Sequence, residues 1–163
     1  MIYAFKRESY NWGDTFYIYD ENSKKAFHVK SSVVLWNRKF QVFDMDKNLL
    51  IEIKKEPKSV LKKKFHIFIQ GQQTASVTKE ISVIPKFIFE GIDVQMHGVM
   101  RHEYELLQDG YEILSYHTGT LGWGEHSILN IADSTDPLLA LALVLTLSFV
   151  IPAEDSEKSV NYV

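Results

Sequence analysis

The 163-residue chain contains no cysteine and has little proline (4 residues) or glycine (8 residues). Without cysteine there is no disulfide framework, no thiol nucleophile and no thiolate metal site. Such a composition suits a reducing compartment. An excess of positive charge is also missing: the formal net charge is −3, so the chain lacks the basic footprint of a nucleic-acid binder. The opening Met1-Ile-Tyr-Ala-Phe-Lys-Arg7 has neither the continuous apolar core nor the small-residue cleavage site of a secretory signal. A cytoplasmic protein is expected.

Catalytic signatures are absent as well. No GxSxG elbow is present, and the histidines (His28, His66, His97, His102, His117, His126) form no HExxH or comparable ligand pair. His97 and His102 are five residues apart, which puts them on opposite faces of an unbroken strand. Asp44-Met-Asp46-Lys-Asn48 begins like a calcium loop, but Leu49 stands where glycine is needed and Lys55 where the bidentate glutamate is needed. A polar hairpin turn is the expectation there. The glycines of Gly119-Thr-Leu-Gly122-Trp-Gly124 precede a strand pattern rather than a helix, so no helix N-terminus would face a phosphate. The reading is a non-enzymatic protein with no cofactor and no metal.

What the chain does have is strand alternation. Phe16-Tyr-Ile-Tyr-Asp20 and Ala26-Phe-His-Val29 flank a polar turn. Phe40-Gln-Val-Phe-Asp44 and Leu49-Leu-Ile-Glu-Ile53 do the same, as do Phe65-His-Ile-Phe-Ile69 and Thr74-Ala-Ser-Val77 around Gln70-Gly-Gln-Gln73. Glu103-Tyr-Glu-Leu-Leu107 and Tyr111-Glu-Ile-Leu-Ser115 enclose Asp109-Gly110, a strong hairpin signal. A further hairpin is expected from Lys86-Phe-Ile-Phe-Glu90, turning at Gly91, into Ile92-Asp-Val-Gln-Met96. The first three hairpins open at Phe16, Phe40 and Phe65, a weak repeat of 24 and 25 residues. Several strands are apolar on both faces, so something must cover more than one side of the sheet. Trp12, Trp36 and Trp123 lie near turns; core packing is the default expectation, with surface anchors at an interface as the alternative.

One segment departs from this rhythm. Asp136 and Pro137 suit the N-cap and first position of a helix. From Leu138 to Ile151 only Thr146 and Ser148 are polar, and Pro152 follows. A helix with no wet face must be enclosed by protein or by lipid. At roughly 1.5 Å per residue it reaches about 21 Å, short of the roughly 30 Å of a bilayer core. The acidic residues after Pro152 supply no basic flank. A core helix over residues 137–151 is expected, with membrane insertion as its rival, and residues 153–163 are expected to form a disordered polar tail.

Together, the strand-rich chain, the apolar helix after Asp-Pro, the block Gly122-Trp-Gly-Glu-His-Ser-Ile-Leu-Asn-Ile-Ala-Asp-Ser-Thr-Asp-Pro137 and the early Tyr10-Asn-Trp-Gly-Asp-Thr-Phe-Tyr-Ile-Tyr-Asp-Glu-Asn22 resemble the LURP-one-related family. That family is similar in fold to the tubby C-terminal domain and the phospholipid scramblases. The resemblance implies one domain over residues 1–152: a mainly β, closed antiparallel barrel of about twelve strands around a central hydrophobic C-terminal helix. It implies no specific activity. The chain lacks the proline-rich and cysteine-rich segments that accompany scramblases.

The strongest charge feature is Lys54-Lys55-Glu-Pro-Lys58-Ser-Val-Leu-Lys62-Lys63-Lys64, which carries +5 and leaves −8 for the rest. Read as a loop or short helix between hairpins, these six lysines are the candidate site for an anionic phospholipid or phosphoinositide surface, each attracted by about 1 kcal/mol near a negative membrane. A solvated loop is the plain alternative. The functional expectation is a binding or scaffold domain, cytoplasmic and peripheral at the membrane, with no nucleic-acid partner. The rival readings are a scramblase-like membrane protein with residues 137–151 in lipid, and a metal-dependent enzyme assembled from distant histidines and carboxylates.

Overall fold

The computed structural model describes residues 1–6, 15–34, 37–57, 62–80, 83–84, 86–100, 103–122 and 124–160. Trp12, Trp36, Trp123, Lys58 and His102, all considered above, lie outside them. The described residues form twelve strands in one antiparallel sheet. They are β1 (Ile2–Phe5), β2 (Thr15–Asp20), β3 (Lys25–Val34), β4 (Asn37–Asp44), β5 (Leu49–Lys55) and β6 (Lys62–Ile69), then β7 (Gln72–Glu80), β8 (Lys86–Glu90), β9 (Gln95–Met100), β10 (Glu103–Gln108), β11 (Tyr111–Leu121) and β12 (Gly124–Ile131). Helix α1 (Pro137–Leu145) follows, then a π-helical turn (Thr146–Val150) and helix α2 (Ile151–Val160).

Local chemistry makes the hairpins. In the β2–β3 turn the Asp20 carboxylate accepts the Asn22 and Lys24 amides at 2.9 Å. The β4–β5 turn repeats this: Asp44 accepts from the amides of Asp46 and Asn48 at 2.9 and 2.8 Å. Ser23 and Lys47 take positive φ at corresponding places, 64° and 68°. The first two units of the sequence repeat therefore share an aspartate turn, and the Asp44 loop is a hairpin turn. The third hairpin is tighter than expected, since β7 already begins at Gln72. A register shift falls within the first three ladder pairs from the turn in these hairpins, at Ile18/Tyr19, Val42/Phe43, Ile67/Phe68 and Leu106/Leu107. Such bulges bend and coil a sheet.

The coiling encloses the helix. Helix α1 packs on β5 and β6 and also on β11 and β12, although four strands separate β5 from β12 in the sheet order. Only a sheet wrapped around α1 meets it from both sides. Ala140 to Leu145 are fully buried, as a helix without a polar face requires. Asp136 caps the helix by accepting the Leu138 amide at 3.0 Å, with Pro137 in the first turn. The two polar residues of the run have partners inside the core. Thr146 donates to the Ala142 carbonyl at 2.8 Å, and the Ser148 and Tyr104 hydroxyls lie 2.7 Å apart.

Two expectations need correction. The barrel is not closed: the strand order is β8-β7-β6-β5-β4-β3-β2-β1-β12-β11-β10-β9, and among the described residues no pairing joins β8 to β9. The hairpin expected between those strands does not form. Gly91 has φ 82°, and its Cα sits so near β7 that an added Cβ would fall 2.5 Å from the Thr74 carbonyl oxygen. The chain leaves β8 there, Ile92 and Val94 pack inward, and β9 starts only at Gln95. Residues 91–94 thus cross the seam instead of folding back along it. Second, Pro152 does not end the helix, which continues to Val160. A proline ring normally strikes the carbonyl four residues before it. Here the Ile151 amide bonds to the Thr146 carbonyl, five residues back, and this widened turn shifts the clashing carbonyl out of line. The stretch expected to be a disordered tail therefore starts as helix, with Ala153 and Glu154 buried; residues 161–163 lie outside the described ones.

Candidate functional site

The described lysines of the segment lie on strands rather than in a loop. Lys54 and Lys55 end β5, and Lys62 to Lys64 begin β6. Strand alternation then divides them. Ile51, Ile53 and Lys55 share the inner face of β5; Ile69, Ile67, Phe65 and Lys63 share that of β6; Ala75, Val77 and Lys79 share that of β7. Each row is apolar until its last member, a lysine. Lys63 is directly opposite Lys79 across the β6–β7 ladder, an unfavourable like-charge pair by itself.

Helix α2 supplies the countercharge. Lys55 bonds to the Glu154 carboxylate, and Lys63 and Lys79 both bond to Asp155. The Glu154 side chain is 3% exposed and that of Lys63 5%. Burial by itself raises the Asp155 pKa, but the hydrogen bonds and charges of Lys63 and Lys79 outweigh it and hold the carboxyl below the usual aspartate value. This cluster ties α2 into one end of the wrapped sheet. Sequence reasoning missed Lys79, Glu154 and Asp155, although the inner-face rows ending in lysine and the acidic pair after Pro152 were visible as patterns.

The outward lysines also have partners in the chain. The Lys54 ammonium lies 4.8 Å from the Phe68 ring centroid. Lys62 faces Glu80 at 3.5 Å and Lys64 faces Glu90 at 3.3 Å. The structure therefore splits the proposed set between an internal ion cluster (Lys55, Lys63) and the outer surface (Lys54, Lys62, Lys64), with Lys58 outside the described residues.

A concave feature lies elsewhere, along the open seam. A cleft of about 670 Å³ separates β8 from β9 and reaches the core helix, within the roughly 300–1,000 Å³ of ligand pockets. Phe87 and Phe89 line the β8 side, and Val94 and Met96 the β9 side. Leu147, from the π turn, and Ile151 form the floor. Such turns recur at functional sites. Tyr104 stands on the β10 wall; burial pushes its phenol far above the ordinary tyrosine value, so it is neutral and held by Ser148. Lys79 and Lys86 also line the cleft. Its chemistry is that of an apolar slot with cationic side chains at the margin.

A second hollow of about 410 Å³ carries His97, Glu105 and His117 on the outer side of β9, β10 and β11. Among the described residues no three His, Asp or Glu side chains are placed to hold a metal ion. Residues 137–155 form an apolar helical stretch long enough to cross a membrane, yet in this structure its side chains are mostly buried by the sheet.

Comparison with known proteins adds kinship but no reaction. The family model described as LURP-one-related matches residues 1–148. The chain is 28% identical over 160 residues, 96% of its length and 98% of the relative's, to the "Uncharacterized protein YxjI" of Bacillus subtilis (strain 168). No solved structure matches the chain.

Proposed function

The chain belongs to the LURP-one-related family, and since that membership names no reaction, we propose from the geometry that it is a non-enzymatic binding domain whose ligand is an apolar small molecule held in the β8–β9 cleft. One observation carries this reading. A sheet that meets its helix from both sides is unpaired between β8 and β9, and the cleft there is lined mainly by apolar side chains. Burying such lining against a ligand is favourable, at about 25 cal/mol per Å² of apolar surface removed from water. Among the described residues, the polar lining of the cleft is confined to Lys79, Lys86, Gln95 and Tyr104.

The test is titration of the purified chain with the neutral apolar dye N-phenyl-1-naphthylamine. Saturable binding is expected, and it should be lost in Met96→Trp, which fills the cleft, with the melting temperature retained. Absence of binding, or equal binding by Met96→Trp, would overturn the reading.

A second reading rests on Lys54, Lys62 and Lys64, which project from the outer face. There the domain would touch an anionic phospholipid or phosphoinositide surface. Their partners Phe68, Glu80 and Glu90 reduce the available charge. Co-sedimentation with phosphoinositide liposomes at low salt tests it. Replacing all three lysines by Gln should abolish binding, and unchanged binding defeats this reading.

A further inference from the structure

We infer that the occupant of the cleft is a single-chain anionic amphiphile of the long-chain fatty acid type, its chain along the π turn and its carboxylate at Lys79 and Lys86. The inference rests on the cleft being a ligand site, and it specifies what that site selects.

The lining is uneven along its length. Towards the start of β9, Met96 and Val94 offer only apolar surface. Towards the start of β8, Lys86 and Lys79 meet the apolar Ile84, Phe87 and Pro152. Beside this mouth Val83 and Ile84 stand exposed, Ile84 at 79%, which gives an apolar lip where a chain would enter. A ligand matching both parts has a long apolar body and one charged end.

The sign of that end follows from the ion cluster. Among the described residues, Lys55 pairs with Glu154, and Lys63 and Lys79 both pair with Asp155. Lys86 has no carboxylate within ion-pair distance among the described residues; Glu80, its cross-strand neighbour, pairs with Lys62. Lysine thus exceeds carboxylate at the mouth, and an anionic head would complete the set. Ammonium groups are compact point charges, which suit a small carboxylate. A peptide strand is less well matched, because the floor offers apolar side chains and β8 is only five residues long.

The experiment is calorimetric titration of the full chain with dodecanoate, dodecan-1-ol and dodecylammonium. Dodecanoate is expected to bind about tenfold more tightly than the alcohol, about 1.4 kcal/mol, and the ammonium more weakly than either. In Lys86→Gln, at an exposed strand end, the carboxylate preference should fall to about threefold or less. High salt should shrink the preference in the parent chain too, a readout that needs no variant. Equal binding of the acid and the alcohol, or an unchanged preference in Lys86→Gln, would overturn the anionic assignment while leaving the cleft reading standing. Failure of all three to bind would overturn both.

Discussion

The wrapped sheet has two places where it must meet itself, and they behave oppositely. β1 and β12 lie at opposite ends of the strand sequence, yet they are zipped from Ile2↔Asn130 to Phe5↔Ser127. β8 and β9 are separated by only four residues and do not pair. Strand length does not explain this, since β1 has four residues and β8 five. What differs is what the strands have to cover. At the β1–β12 junction, Phe5 and Leu129 are buried, and Phe5 lies 5.2 Å from Phe149 of the core helix, so pairing and core burial reinforce each other. At the β8–β9 seam, residues 91–94 occupy the crossing and turn Val94 inward. Closure therefore follows core coverage rather than nearness in sequence.

The sharpest way to break this contrast is to charge each region. Leu143→Asp would put an unpaired carboxylate into a fully buried site in the enclosed part. Burying a charge without a partner costs more than a typical net stability of about 5–15 kcal/mol can absorb unless the group is protonated, and the cooperative thermal transition is expected to vanish. Ile84→Asp at the seam should change stability by about 0.5 kcal/mol or less. Comparable melting curves for the two variants would defeat the distinction.

Next in size is the ion cluster at the end of the sheet. Asp155→Ala leaves Lys63 and Lys79 opposed and unpaired, and should cost about 3 kcal/mol, the lower end for a broken buried pair because Asp155 keeps some exposure. The effect should depend on pH. The folded pKa of Asp155 is depressed, so the unfolded chain binds the proton more readily. Its stabilisation is complete above the unfolded value of about 3.9 and is lost as pH falls through the lower folded value. The difference in melting temperature between the parent and Asp155→Asn should accordingly narrow as the solution is acidified below about pH 4. A difference that stays constant would show that Asp155 does not anchor α2.

Much of the architecture was legible because its causes are local. The hairpins opening at Phe16 and Phe40, the Asp109-Gly110 hairpin and the Asp136-Pro137 helix start are each determined by a few neighbouring residues. The unclosed seam was not legible. Lys86 to Met96 alternates as a hairpin should, and the close approach of Gly91 to Thr74, where the chain leaves β8, involves a different strand. The continuation past Pro152 was hidden for a similar reason, since a π turn compensates the proline. The lysines form an intermediate case. Counting alternate residues back from Phe65 would have put Lys63 inside, yet the run was read as one charged surface, and its partners on α2 were read as tail. The cleft had no sequence signature at all, because its walls are elements whose failure to pair leaves the space.

The seam itself can be probed at Gly91. Gly91→Ala combines a positive φ with a backbone clash at 2.5 Å, and should cost about 1–3 kcal/mol. It should also alter dye binding in the cleft, because residues 91–94 form part of the crossing. A loss of stability with dye affinity intact would mean that the crossing does not shape the cleft.

The smallest expected effect lies where the two regions join. Tyr104 belongs to β10, next to the open edge, and its hydroxyl meets Ser148 of the π turn at 2.7 Å in a buried site. Burial keeps the phenol neutral, so the bond is an ordinary neutral one, worth about 1 kcal/mol. Tyr104→Phe should lower the melting temperature by about 2–4 °C for a domain of this size. Tyr3 provides the comparison on the closed side. Its hydroxyl meets the Met1 sulfur in an exposed position, and Tyr3→Phe should leave the melt unchanged. If the Tyr104 bond also positions the floor of the cleft, Tyr104→Phe will weaken dye binding while Tyr3→Phe will not. Equal dye affinities with a lowered melt would restrict the bond to holding the sheet on its helix, and equal melts would remove it as a link between the sealed and open sides.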